Sequence, residues 1–474
     1  MDGSGPVSRS DRHPGDTYED ILNRDSRPVP EYLREGRIPD VGAQPIAASR
    51  YFDRDFFEKE ARHVWSRVWQ MACREEDIPN VGDYHIYEVL GKSLIVVRSA
   101  PDKIKALYNS CLHRGRKLVT HNGCRQEFKC PFHGIAWNAD GSFKENPIVW
   151  DFPQWQDRDL SLPEAKVDTW GGFVFINFDV HAKPLIHYIK PLADDLARFD
   201  WADRYRMMWI RKKVRCNWKV LAEGFMESHH SVTTHPQILP GLADANSQYD
   251  LPNDWISRHF SAGAVPSPFL PQMSEQEILD FMISPGGRRR GPLPASDQPH
   301  KLPPGMSARQ YLAELARQGL GETYGYDYSQ LSDAEMLDAL LYNIFPNFSV
   351  WAGEGQKLTY RWRPNGLDPN TSVMDIMMHA PCPKGQPRPK PAAPVELDFD
   401  ESVTSVAPPG LESLAAVFDQ DFSNLPYVQE GLLATGTGEV HLAKYSEMRI
   451  RHLHHMIDRH IAEGLSASAA TAAG

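Results

Sequence analysis

Cys111-Leu-His113 and, sixteen residues further on, Cys130-Pro-Phe-His133 form the stretch on which the reading of this 474-residue chain turns. Two thiolates and two imidazoles at this spacing can hold a 2Fe-2S cluster, with the cysteines on one iron and the histidines on the other. Exchanging two anionic thiolates for neutral imidazoles takes negative charge off the cluster. Its reduction potential then lies at roughly −150 to +300 mV, against about −400 mV for all-cysteine plant-type clusters. The same residue types also build structural zinc sites. Cysteine and histidine are scarce, six and nineteen in the chain, so these four at these offsets indicate a metal site of one kind or the other.

The flanks favour iron and sulfur. Arg114-Gly115 follows the first pair, and Gly134-Ile-Ala-Trp137-Asn-Ala-Asp140-Gly141 carries the second into a strand and an Asp-Gly turn. A glycine beside each pair lets the backbone close in, as a cluster whose sulfurs take N–H bonds requires. This is the Rieske arrangement.

Working outward, the length predicts two domains. The composition, 41% hydrophobic and 24% charged, is that of an ordinary globular chain. The net charge of −11 argues against a nucleic-acid partner. The one basic run, Arg288-Arg289-Arg290, sits among Gly and Pro and reads as a solvated loop. No stretch reaches eighteen consecutive apolar residues and the first residues lack a signal-peptide pattern, so the expectation is a cytoplasmic protein with no membrane contact. Cys73, Cys124, Cys216 and Cys382 show no paired spacing, and Cys124 reads as a packed or free thiol.

Residues 1–45 are rich in Pro, Gly, Asp, Arg and Ser and predict an extended arm with little core. Between Tyr51 and Trp69, the residues Phe56, Phe57, Ala61, Val64, Trp65 and Val68 recur at helical spacing. From Gly82 the period shortens to β-like runs, His85–Val89, Ser93–Arg98 and Lys105–Asn109. Val167–Asn177 reads as a turn and buried strand closing a small all-β domain over 46–178, with the metal motif on its loops. A second domain over 179–464 mixes an amphipathic Ser307–Gln318 segment with a Ser332–Glu335 capping box before Met336, Leu337, Leu340 and Leu341, and with strand-like runs at Leu358–Trp362 and Val373–His379. The strands cluster instead of alternating with helices, so the fold class is α+β. The proline-dense stretches 264–305 and 381–410 read as long loops, and 465–474 as a flexible tail.

Asn217-Trp-Lys-Val-Leu-Ala-Glu223-Gly-Phe-Met-Glu227-Ser-His229-His230-Ser-Val-Thr-Thr-His235-Pro236 is the second dense cluster. Two imidazoles and one carboxylate can take one face of a ferrous ion and leave positions open for oxygen. His230 and His235 would diverge by about 140° on a regular helix. Both reach one metal only if the helix bulges or ends between them, and Pro236 favours an ending.

On these motifs the chain resembles the α subunits of the Rieske non-heme iron ring-hydroxylating oxygenases, over roughly residues 50–460. The resemblance implies an N-terminal all-β Rieske domain and a helix-grip catalytic domain, an antiparallel sheet covered by helices. It implies one 2Fe-2S cluster per subunit on Cys111, His113, Cys130 and His133, and one mononuclear Fe(II) per subunit on His230, His235 and a late carboxylate. Val417-Phe-Asp419-Gln-Asp421, ahead of Gln429-Glu-Gly431, resembles the carboxylate region, with Asp421 preferred over Asp419 and a Gln-X-Gly turn expected after the helix. Glu227 stands where the family commonly has the Asp that links the two metal centres across subunits. Gly224 and His229 stand where Asn and Tyr are frequent, and His229 is a rival ligand to His230.

The function implied is a terminal oxygenase. It would take electrons from an NAD(P)H-dependent reductase, with or without a ferredoxin, and use O2 to hydroxylate an aromatic substrate. A homotrimer, or a hetero-hexamer with a small β subunit, is implied with it. The alternatives are a monooxygenase or demethylase acting on a quaternary ammonium compound, and a Rieske electron-transfer protein without catalysis. Phe225, Met226 and Val232 are candidate apolar walls near the iron. The helix predicted over His441–Ile461 carries His452, His454, His455 and His460, read as exposed histidines on a packed amphipathic helix.

Overall fold

A continuous apolar run places the central strand of the first half in a sheet buried on both faces. Leu94, Ile95, Val96 and Val97 are all 0% exposed, and their strand Lys92–Ala100 lies between Asp83–Val89 and Lys103–Tyr108. The computed structural model describes residues 15–284, 299–355 and 357–472. Seven strands form this first sheet, in which Phe173–Asn177 lies between Gln70–Arg74 and Glu164–Trp170, and a separate three-stranded sheet, Glu127–Lys129, Ala136–Asn138 and Phe143–Glu145, carries the second cysteine loop. The Val167–Asn177 segment is a hairpin, Glu164–Trp170 paired with Phe173–Asn177 across Gly171 and Gly172 at φ of 58° and 76°.

The second half is built on an eight-stranded sheet running from Gln248–Asp250 to Val395–Leu397. Its longest pairing sets Arg204–Val214 against Asp368–Pro381. Every pairing in it is antiparallel except Ile210–Lys212 with Val395–Leu397. The helices Glu412–Ala434 and Met448–Ala472 cover it, and Phe418, Phe422, Ile450 and Ile457 share one core with Trp362, Met374 and Ile376. Sheet and helices thus bury one apolar layer between them, the α+β architecture expected.

That core is continuous with the cluster half, through Trp65, Val96 and Val174. The junction is specific: the Trp65 and Trp218 rings meet edge to face at 5.1 Å. Glu60 and Lys219, both 0% exposed, form an ion pair at 2.7 Å, and Trp218 Nε1 donates to Glu60 at 3.2 Å. Glu60 belongs to the helix Arg54–His63, which Asp53 caps by accepting from the Phe56 N–H. The residues that open the iron-site segment are therefore bolted to the cluster half.

Four sequence expectations change. The described part of the arm carries core: Tyr18, Ile21 and Leu22 of a capped helical turn are 1–2% exposed, and the Tyr18 hydroxyl donates to Asp338 at 2.8 Å. A few aromatic and aliphatic anchors suffice where the acceptor surface already exists. Leu340 and Leu341 leave the helix that Ser332 caps and lie in the strand Ala339–Ile344, because Asp338 turns extended and sheet pairing decides beyond it. The stretch 264–305 contains a helix, Glu275–Ile283, with its own capping box at Ser274 and Glu277. The C-terminal helix runs Met448–Ala472, seven residues later than predicted at its start and through residues 465–472 of the stretch read as a flexible tail, and His454 and His460 are buried, not exposed. Arg288-Arg289-Arg290 lies outside the described residues.

Candidate functional site

The two cysteine loops repeat one backbone pattern. Cys111 N–H donates to Arg116 O and Gly115 N–H to Cys111 O; Cys130 N–H donates to Ile135 O and Gly134 N–H to Cys130 O, all at 2.8–2.9 Å. Gly115 and Gly134 close these turns at φ of 75° and 77°, where a side chain would be strained. Asn109 pins the first loop, accepting from the N–H groups of Leu118 and Val119 at 2.9 and 3.0 Å.

These turns bring the donors face to face. The His113 and His133 rings stand 4.7 Å apart, and both cysteines are buried. Burial pushes the Cys111 thiol up, while the N–H groups of His113 and Arg114 point at its sulfur and the Cys130 thiol hydrogen-bonds with it. The Arg114 guanidinium donates to His133 Nε2 at 3.2 Å, leaving Nδ1 as that ring's other nitrogen. His113 Nδ1 is buried with no partner. Two buried neighbouring thiols and an orphaned imidazole nitrogen fit a cationic group that deprotonates the thiols and takes the nitrogens. Cys124 is exposed on a separate strand, opposite Asp83.

The second constellation depends on where helix stops. Asn217 caps Trp218–Glu223 by accepting from the Lys219 N–H at 3.0 Å. The helix ends at Gly224, where a Cβ would meet Leu425 Cδ2 at 3.2 Å; glycine lets the Glu412–Ala434 helix pack this closely. After an irregular turn, one short helix, Ser231–Thr234, stops at His235 with φ −127° and ψ 50° ahead of Pro236. His230 and His235 thus cap the two ends of a single helical turn, and because His235 has left the helical backbone their rings converge, with centroids 5.1 Å apart.

Asp421 meets them from the long helix. His235 Nε2 lies 2.8 Å and His230 Nε2 3.6 Å from Asp421 Oδ1. One donor atom from each of the three lies within 4.8 Å of the others. Each imidazole is aimed from behind, His230 Nδ1 on Glu227 Oε1 at 2.5 Å and His235 Nδ1 on Gln420 Oε1 at 2.8 Å. Such outer partners fix the tautomer and leave Nε2 free to ligate. Two histidines and a carboxylate at one corner of a cavity fit an open ferrous site. Burial works to raise the Glu227 carboxyl, yet hydrogen bonds from His229 and His230 outweigh it and hold it well below the usual carboxylate range.

Asp419 points elsewhere, accepting from the N–H groups of Val403 and Thr404 at 2.7 and 2.9 Å and from two hydroxyls. Gln429 does not open a turn. It is buried within the helix and accepts from the Asn217 N–H at 2.9 Å. Of the three candidate walls only Phe225 lines the cavity beside the donors, with Leu341, Trp351, Tyr360 and Phe418. Met226 is buried in the core, and Val232 is 37% exposed. Sequence reading missed Gln420 and also His259, which stands on the cavity wall with a buried, unpartnered Nδ1. His259 sits in a strand with no motif around it.

Residues 197–463, more than half of the chain, match the family described as ring hydroxylating alpha subunit (catalytic domain). The chain belongs to the ring-hydroxylating alpha-subunit family. Residues 68–156 match the Rieske [2Fe-2S] domain, which decides between iron-sulfur and zinc. The two matches imply a 2Fe-2S cluster and a mononuclear iron for this family member. It is 26% identical over 197 residues to the carnitine monooxygenase oxygenase subunit of Escherichia coli strain K12, covering 41% of this chain and 53% of that protein. It is 30% identical over 203 residues to the biphenyl 2,3-dioxygenase alpha subunit of Rhodococcus jostii RHA1, covering 41% and 44%. The aligned region thus spans about half the length of these curated relatives. A solved quaternary ammonium Rieske monooxygenase shares the fold, with a TM-score of 0.63, 16% identity and coverage of 90% of this chain and 100% of that one. Among the described residues no helix is long and apolar enough to cross a membrane.

Proposed function

We propose that this chain is the catalytic component of an oxygenase that hydroxylates an aromatic substrate with O2, using electrons from an NAD(P)H-dependent reductase, directly or through a ferredoxin. The observation that carries the reading is the convergence of His230, His235 and Asp421 at one wall of a cavity whose lining includes the aromatic side chains Phe225, Trp351, Tyr360 and Phe418 beside the polar Glu227 and His259. When bound, the cluster supplies electrons one at a time and the mononuclear iron supplies the position at which O2 is activated.

The chain's own residues do the rest. Cys111, His113, Cys130 and His133 are the cluster ligands in this reading, and His230, His235 and Asp421 the iron ligands. Glu227 and Gln420 hold the two imidazoles with Nε2 turned to Asp421, where a bound iron would be held. The aromatic walls exclude water and orient a flat apolar substrate. The likeness to a biphenyl dioxygenase supports the aromatic reading, and the likeness to a carnitine monooxygenase keeps a quaternary ammonium substrate as the rival outcome. We read the protein as cytoplasmic and as an oligomer, a homotrimer or a hetero-hexamer with a small β subunit.

Product analysis under 18O2 with a surrogate reductase tests this, across aromatic hydrocarbons, aromatic acids and quaternary ammonium compounds. Label in an aromatic product is the expected result; label confined to a quaternary ammonium product would move the assignment to the monooxygenase reading.

A further inference from the structure

Arg449 is a buried cation without a counterion. Its side chain, in a residue 1% exposed, stands at the start of the helix Met448–Ala472, where Nε donates to Ser257 Oγ at 3.2 Å and Nη1 to Met226 O at 3.1 Å. Nη2 is buried and donates to nothing. Among the described residues no carboxylate comes within ion-pair distance of this guanidinium, and Asp250, which draws charge toward it, is taken by Arg258 at 2.6 Å. Burial pulls Arg449 down to about 9, against the pull of Tyr249 and Asp250. A charge shut away from water and left unpaired is costly to the fold, so a native structure that keeps one has a partner for it.

The sheet beside Arg449 is also short of partners. Ser257 pairs across the strands with Asn343, and Asn343 with Ser349, so the three side chains form one row on one face. Both amide atoms of Asn343 and the hydroxyl of Ser349 are buried and unpartnered. Two residues along the same strands, on the same face, His259, Leu341 and Trp351 form the next row, and that row lines the cavity at His230, His235 and Asp421. His259 Nδ1 and Trp351 Nε1 are unpartnered there as well. Met226, whose carbonyl Arg449 holds, lies between Phe225 and Glu227 of the same cavity. Unsatisfied donors therefore adjoin the iron-site cavity, with an uncompensated positive charge among them. The two rows are about 7 Å apart, a span that one aromatic ring and its substituent can bridge.

We propose that the substrate of this site is an aromatic acid, whose carboxylate is held by Arg449 with the Asn343 amide and the Ser349 hydroxyl while its ring lies against Trp351 and Phe225. The inference rests on the oxygenase reading above and names the substrate class within it. Arg449 Nη2, Asn343 Nδ2 and Ser349 Oγ are all donors, so one carboxylate supplies the acceptors they lack and the anion that the guanidinium lacks. A neutral hydrocarbon would leave every one of them unsatisfied. Glu227 and Asp421, among the iron-site donors, repel an anionic group, so the ring and not the carboxylate is presented to the metal. These residues make and break no bond; they bind and orient.

Anaerobic calorimetry of the Fe(II)-loaded protein tests it, with benzoate, 2-naphthoate and 4-biphenylcarboxylate and the neutral amide of each. At least one acid should bind at least tenfold more tightly than its amide. Arg449→Met should weaken that acid at least tenfold and leave its amide within twofold, and Arg449→Lys, which keeps the charge, should recover part of the loss. Asn343→Leu exchanges an unsatisfied amide for an apolar group of like size, which the fold tolerates, and it should weaken the acid at least threefold. Acids that bind no tighter than their amides overturn the proposal and leave these donors to ordered water. So does an equal loss for acid and amide in Arg449→Met, which would make the guanidinium a prop for the fold. Should that chain not fold, unchanged acid affinity in Asn343→Leu overturns the proposal in its place. Failure of the oxygenase reading looks different: acids bound in an Arg449-dependent way but never labelled from 18O2 with a surrogate reductase would remove that reading and leave the anion site standing.

Discussion

At the scale of single residues, two aspartates separated by one position have unrelated work. Phe418, Asp421, Phe422 and Leu425 recur at three- and four-residue steps and are all buried, so Asp421 shares the inward stripe of its helix. Asp419 falls off that stripe and holds the turn at Thr404–Val406. Asp421→Ala should abolish bound mononuclear iron while leaving the cluster EPR signal intact. Asp419→Ala should keep both metals and cost about 1–3 kcal/mol in denaturant unfolding, for the lost hydrogen bonds. Iron analysis reads the difference, and iron retained in Asp421→Ala would remove this carboxylate from the site. The stripe was legible in the sequence. The pairing of Gln420 with His235 was not, because neighbouring residues on a helix diverge by about 100° and only the position of the approaching ring decides which one it meets.

At the scale of elements, the start of the iron segment is held by three parts of the chain at once. The Glu223 carboxylate accepts from the Tyr51 hydroxyl at 3.0 Å and lies 2.9 Å from His454 Nε2 on the C-terminal helix. Burial pushes the Glu223 carboxyl up to about 8, against the hydrogen bond from Tyr51, which acts to lower it. An unfolded glutamate titrates near about 4.3. Between these values the folded chain keeps a proton that the unfolded chain has lost, so this site's contribution to stability is complete below about pH 4 and falls as pH rises through 8. Glu223→Gln fixes the neutral form and should flatten the fall in stability between about pH 5 and 8, measured by chemical unfolding across that range. Parallel curves for variant and wild type would show that Glu223 is ionised in the folded chain. The helical periods flagged Tyr51–Trp69 and the C-terminal helix as packed elements. They could not show that His454 is buried against Glu223, since a histidine on an amphipathic stripe looks the same whether its partner is water or a carboxylate 231 residues away in sequence.

At the scale of the molecule, the proposed iron donors join segments 186 residues apart in sequence, and the proposed cluster donors sit on two small loops in the other half, one following a strand of the seven-stranded sheet and one within the three-stranded sheet. A ligand that binds only the folded state stabilises it by about 2.7 kcal/mol at a hundredfold excess over Kd. Fe(II) added to iron-free protein should therefore raise the thermal midpoint, the effect should persist in Cys111→Ser, and it should vanish in Asp421→Ala. Scanning calorimetry of the three chains checks this; a midpoint that ignores Fe(II) in the wild type would mean the donors do not bind it in the folded state.

The sequence by itself determined the donor types, the spacing of the two cysteine loops, the helix end before Pro236 and the α+β class, because ligand chemistry, capping and backbone restriction act over a few residues. Tertiary structure decided which histidines converge on Asp421 and which lie in the core, that the arm supplies Tyr18 and Leu22 to that core, and that Glu227 is buried against His229 and His230. Those outcomes depend on which distant surface arrives at each side chain, a property of packing that no local pattern encodes.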